Sequence, residues 1–197
     1  NMKLTDSIQE HRTLQRWFDQ QLSDVPYPNS SRNRLACACF DMVLEHYKAV
    51  TELMNLRLPG SAFALSRLLF ESCVRGIWLH RCATEKDLHR YQQDKLDKKM
   101  FELIADVEKT EGFEEKTFSK AKAQTWKPLN SLTHSGYEQL GRRFNGNVQK
   151  PSYSDSDQMI MLNHAKALAF ISVHMVSLVS DNPELQKAID AKVEQDL

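Results

Sequence analysis

Three charged residues, Arg67, Glu71 and Arg75, recur every fourth position inside the apolar stretch Gly60 to Thr84. A helix turns by about 100° per residue, so all three fall within about 80° of arc. Ala64, Trp78 and Cys82 project onto the same arc, and the rest of the circumference is filled by residues such as Leu65, Leu69, Phe70, Cys73 and Ile77. A helix apolar on most faces is normally buried. Its charged stripe therefore either reaches solvent through a gap or lines a groove. As a solvated ladder, each pair contributes only about a few tenths of a kcal/mol. As a groove, Arg67 and Arg75 could hold phosphate, Glu71 could orient an arginine, and Trp78 would supply an apolar wall. Partly buried charges are costly unless paired and tend to mark sites.

Two histidine signals accompany the stripe. Asn130 and His134 lie four apart and share a face if their segment is helical; Gly136 then puts them near a helix end, where a histidine can reach solvent. A capping or core role is the alternative. Arg75 and His80 form an Arg-x4-His pair, but residues five apart on a straight helix point about 140° away from each other. They cooperate only if the helix breaks near Gly76 or a second protomer completes the site. The candidate catalytic residues are thus Arg75, His134 and His80, and the candidate substrate-binding residues Arg67, Glu71, Asn130 and Trp78. A third idea is a small-ligand pocket at Trp78 and Trp126.

Other chemistries lack their residues. His46, His164 and His174 lie among apolar helix positions and read as satisfied core histidines, whereas His11 and His89 fall on polar faces and read as inert. Asp41 and Glu45 share one solvated helix face. No paired Glu-x-x-His occurs, no CxxC, no glycine-rich phosphate loop and no nucleophile elbow. No metal and no cofactor is expected.

The pattern Ala-Leu-x-Arg-x3-Glu-x3-Arg-Gly-x-Trp-Leu over 64–79, followed by Asn-x3-His-x-Gly over 130–136, resembles a set of uncharacterised bacterial all-helical proteins. The Arg-x4-His pair also resembles the motif of HEPN ribonucleases, small all-α proteins that dimerise to bring two such pairs together. This loose resemblance implies an HEPN-like bundle, a homodimer, and RNA or nucleotide as ligand. The sequence departs from the HEPN pattern in one respect: Arg75 and His80 lie mid-helix, where those enzymes usually carry the pair at a helix end.

Length and composition set the frame. The 197 residues are expected to form one domain over 2–197, large enough to bury about 70% of its unfolded surface. The 26 basic and 26 acidic side chains cancel, so any nucleic-acid contact must be local. Cys37, Cys39, Cys73 and Cys82 read as reduced core residues of a cytoplasmic protein. No secretory leader is read at the first residues. The apolar run Met159 to Val179 is interrupted by Asn163, His164, Lys166 and His174, which suits a buried bundle helix better than a membrane span.

Periodicity places the elements. A first helix capped by Thr5 runs to about Ser23. A second, capped by Ser30 or Ser31, runs to about Leu58, with Leu35, Cys39, Met42, Val43, His46, Val50, Leu53 and Met54 inward. The central helix follows Pro59-Gly60, and a fourth runs from Thr84, with Asp87 as its capping partner, to about Lys109. A short helix is expected over 117–124 and another around 126–136, with Pro128 tolerable only in its first turn. Residues 142–156 form the longest irregular segment. A long helix from Asp155 or Ser156 and a final one from Pro183 complete an all-α bundle of six or seven helices. Two readings follow. One is a metal-independent RNA-cleaving or nucleotide-binding protein of defence or toxin type. The other is a non-enzymatic module that dimerises or binds a protein partner.

Overall fold

The computed structural model describes residues 3–196, and of Thr125 and Trp126 the backbone alone. Among the described residues it is an all-α assembly of ten helices with one two-stranded hairpin. In chain order the helices are α1 (Leu4–Leu22), α2 (Ser31–Asn55), α3 (Pro59–Ala64), α4 (Ser66–Arg81), α5 (Glu85–Gln92), α6 (Met100–Val107), α7 (Thr117–Thr133), α8 (Tyr137–Gly141), α9 (Asp155–Val179) and α10 (Pro183–Asp196).

Helices α2, α4 and α9 make the centre. Helix α2 packs against both others, α1 crosses α2 and α9, α10 lies on α9, and α6 and α7 lean on α4. The core holds Phe40, Tyr47, Phe70, Ile77, Trp78 and Val173, all essentially without exposure. Each such side chain contributes about 1.5–3 kcal/mol on burial. The tightest approach is between α2 and α4 at Gly76, where an added Cβ would lie 2.5 Å from a ring carbon of Phe40. Helix α9 is long and apolar enough to cross a membrane by length and composition. Here it is covered by α1, α2, α4 and α10.

The helix count exceeds the expected six or seven because two long segments are broken. The central helix is split at Leu65 into α3 and α4. The expected Thr84–Lys109 helix ends at Gln92 and restarts at Met100. Its capping box is present, with Thr84 and Asp87 bonding each other's backbone. The stop is a Schellman arrangement: Asp94 takes φ +53°, Asp94 N–H donates to Tyr91 and Lys95 N–H to Arg90. Arg57 and Asp181 end α2 and α9 in the same way.

The two helices expected over 117–136 are instead one, α7, with Pro128 in its interior. Proline removes one ladder bond, but the helix is held on both sides of it, by buried Phe118 before and by Leu129 and Leu132 after. The irregular segment 142–156 carries an antiparallel hairpin, Phe144–Asn145 paired with Val148–Gln149 and turned on Gly146 at φ +60°. Helix α9 starts at Asp155, one of the two expected starts, and Ser154 caps it by accepting from Asp157 N–H.

Helix α1 begins at Leu4 with no side-chain cap, so Thr5 lies inside it. Its buried stripe is Leu4, Ser7, Ile8, His11, Leu14, Gln15 and Phe18. Three of these seven, Ser7, His11 and Gln15, are polar. On α2, Met42 is exposed, while Phe40, Tyr47 and Thr51 join the core.

Candidate functional site

Asn130 sits in the last turn of α7 and His134 is its C-cap residue, whose N–H donates to Asn130 O at 3.0 Å. The chain then reverses. Ser135 takes φ +53°, and Gly136 N–H donates to Ser131 O at 2.7 Å. Gly136 also lies so close to Ser131 that a side chain there would collide with it. This end of α7 is tied to the α3–α4 break, where Thr133 Oγ1 donates to Ala64 O at 3.2 Å. The break that sequence reading missed is therefore the seat on which α7 docks.

That docking brings the two motifs together. Arg67 Nε donates to Glu71 Oε1 at 2.7 Å. Its Nη1 donates to Asn130 Oδ1 and lies 3.0 Å from His134 Nε2. Glu71 Oε2 in turn stands 3.9 Å from Arg75 Nη2. A guanidinium can only donate, so His134 Nε2 accepts and the ring proton rests on Nδ1. His134 is exposed, whereas the side chains of Arg67 and Glu71 keep only 24% and 18% of their surface. The cluster is thus a half-buried cation–carboxylate pair with an exposed imidazole at its mouth. Pairs in this setting are screened less than surface ones.

Arg75 continues the stripe to a different neighbourhood. It stands beside the Tyr91 hydroxyl, with Cys39 also close to that hydroxyl. Its Nε is buried and has no partner among the described residues. Trp78 is fully buried and donates through Nε1 to Asp106 Oδ2 at 3.1 Å. Lys98 joins the same carboxylate at 2.8 Å and lies over the Trp78 ring at 5.4 Å. Burial alone would raise the Asp106 carboxyl, but the bonds from Lys98 and Trp78 outweigh it and hold it below its ordinary range.

His80 does not join Arg75. Helix α4 runs unbroken through Gly76 to Arg81, so the pair keeps its divergent directions. His80 Nδ1 is buried without a partner among the described residues. Burial, then Arg81 and Arg32, push its pKa below the usual histidine range. The proposed pocket at Trp78 and Trp126 rests partly on the Trp126 side chain, which lies outside the described residues.

The other histidines depart from expectation in places. His46 Nε2 is buried and unpartnered, so it is not a satisfied core histidine. His174 is 38% exposed, 3.6 Å from Asp190. His11, read as a surface residue, is buried; its Nδ1 lies 2.5 Å from the Tyr47 hydroxyl, and burial followed by Lys166 lowers its pKa to about 4. The signal for it was present in the 3–4 spacing Ser7, His11, Gln15, which a hydrophobicity count passes over. The four cysteines are free. Among the described residues no three His, Cys, Asp or Glu side chains gather as a metal-holding group.

Residues 40–195 match the profile of a family of unknown function, DUF6988, and the chain belongs to that family. The matched region contains every candidate site residue. No curated protein and no solved structure matches the chain.

Proposed function

We propose that the chain is an HEPN-like protein of defence or toxin type that binds RNA and cleaves it without a metal ion. One observation carries this reading: Arg67 Nη1 reaches both Asn130 and His134, joining two motifs more than 60 residues apart around an exposed imidazole. The chemistry follows from the groups present. His134 Nε2, once the incoming phosphate draws Arg67 away, accepts the proton of a ribose 2′-hydroxyl. The 2′-oxygen then bonds to phosphorus, the P–O5′ bond breaks, and the departing 5′-oxygen takes a proton from water to become a 5′-hydroxyl, while His134 returns its proton to the solvent. The products are a 2′,3′-cyclic phosphate and a 5′-hydroxyl end. Arg67 and Arg75 neutralise the charge gathering on the phosphoryl oxygens, and Glu71 holds Arg67 in register. His80 has no step in this scheme, because it points away from Arg75 on the unbroken helix α4. The test is RNA cleavage in excess chelator by wild type, Arg75→Ala and His134→Ala, all folded by circular dichroism. Cleavage lost in both variants supports the reading, and an inert folded wild type refutes it.

A second reading, a non-enzymatic module that pairs with itself or another protein, draws on a separate feature. Tyr137, Leu140, Phe144 and Val148, on α8 and the hairpin, are 53–86% exposed. Exposed apolar side chains gathered in one short segment are a common mark of an interface. Sedimentation equilibrium of wild type against Phe144→Asp tests it. A dimer abolished by the substitution favours this reading, and a wild type that stays monomeric at high concentration removes self-association.

A further inference from the structure

Between α4, α5 and α6 lies a cavity of about 190 Å³, walled by Arg75, Trp78, Tyr91, Asp94, Lys98 and Leu103. A water's share of liquid volume is about 30 Å³, so this space holds a small ion and part of its hydration. Its walls carry more donors than acceptors. Arg75 contributes a guanidinium whose side chain is 41% exposed and whose nearest carboxylate oxygen is 3.9 Å away. The Tyr91 hydroxyl and Lys98 Nζ supply two more donors. Carboxylates stand nearby as well: Asp106 holds Lys98 and Trp78, Glu71 lies 3.9 Å from Arg75, and Asp94 is exposed just beyond α5.

We propose that this cavity is a subsite for a phosphate-class oxyanion, held by Arg75, Tyr91 and Lys98. Its chemistry stands on the cavity, while its natural ligand rests on the RNA reading above, through the Arg75 shared with the Arg67–Glu71 stripe. There it would hold a phosphate neighbouring the one at His134. Two properties suit the role. Burial keeps the Tyr91 hydroxyl protonated as a donor, and the Asp106 contact keeps Lys98 charged. Arg75 is the residue for a fixed, forked contact with phosphate.

The reporter is the Trp78 indole N–H, whose bond to Asp106 adjoins the cavity. In the full 15N-labelled chain its resonance is assigned with Trp78→Phe, then followed during titration with inorganic phosphate and with a nucleoside 5′-monophosphate at constant ionic strength. The expected result is a saturable shift, weakened at least tenfold by Lys98→Met and by Tyr91→Phe. Tyr91→Phe keeps the ring, so it reports even where Lys98→Met unfolds. A nucleotide that binds tenfold tighter than inorganic phosphate identifies a nucleic-acid or nucleotide phosphate as the natural source; equal binding identifies free phosphate. No saturable shift at millimolar phosphate, or equal binding by Tyr91→Phe, overturns the proposal. Phosphate binding by a protein that leaves RNA intact would remove the RNA reading and keep the subsite.

Discussion

Arg67 Nη1 lies 3.0 Å from His134 Nε2 although 67 positions of chain separate them. Neither residue could have been assigned to the other by periodicity, because each belongs to a different helix. What joins them is the docking of the α7 terminus on the α3–α4 break.

This contact couples the two residues energetically. A double-mutant cycle with Arg67→Ala and His134→Ala, read by urea denaturation, is expected to give about 0.5–1.5 kcal/mol of interaction energy. Additivity within about 0.3 kcal/mol would mean that the contact contributes nothing.

Gly76 is predicted to be intolerant of even one methyl group. Its Cβ would meet the fully buried Phe40 ring at 2.5 Å, so Gly76→Ala should destabilise by about 1–3 kcal/mol. Gly141→Ala is the control, since its nearest neighbour would be Tyr137 at 3.8 Å. Equal thermal stability of the two variants would contradict the packing of α2 on α4.

His11 should make stability fall in mild acid. Its folded pKa of about 4 lies below the ordinary histidine value of 6.5. The neutral ring therefore contributes fully above pH 6.5, and the contribution is lost as pH drops from 6.5 through about 4. The shift corresponds to about 3 kcal/mol at most. His11→Gln cannot titrate but can still meet the Tyr47 hydroxyl. Its denaturation free energy should lose less than the wild type's over that window, and parallel curves would refute the assignment.

The all-helical class was legible from periodicity, and so were the caps at Ser30 and Thr84 and the start at Pro183. The stops were harder. Arg57, Asp94 and Asp181 end helices in left-handed conformations that glycine usually takes, so no glycine marked them, and α5 and α6 read as one helix. Pro128 misled in the opposite direction, because tertiary contacts on both sides outweighed one lost backbone bond. The site was half legible: four-residue spacing drew attention to Arg67, Glu71, Arg75 and to Asn130, His134, but nothing local says that the two sets meet. Ser7, His11 and Gln15 were passed over because buried polar residues follow helical spacing without adding hydrophobicity. Their partners Tyr47 and Thr51 are distant in sequence.

The central claim is that His134 acts on RNA within the Arg67 cluster, and the ends left on a cut strand test it most directly. A 5′-labelled single-stranded RNA is incubated in excess chelator with wild type and with folded His134→Ala. The prediction is 2′,3′-cyclic phosphate ends from wild type, with the rate reduced about 10²–10⁴-fold in His134→Ala. Intact RNA with the wild type, or the same ends at the same rate from His134→Ala, would contradict it.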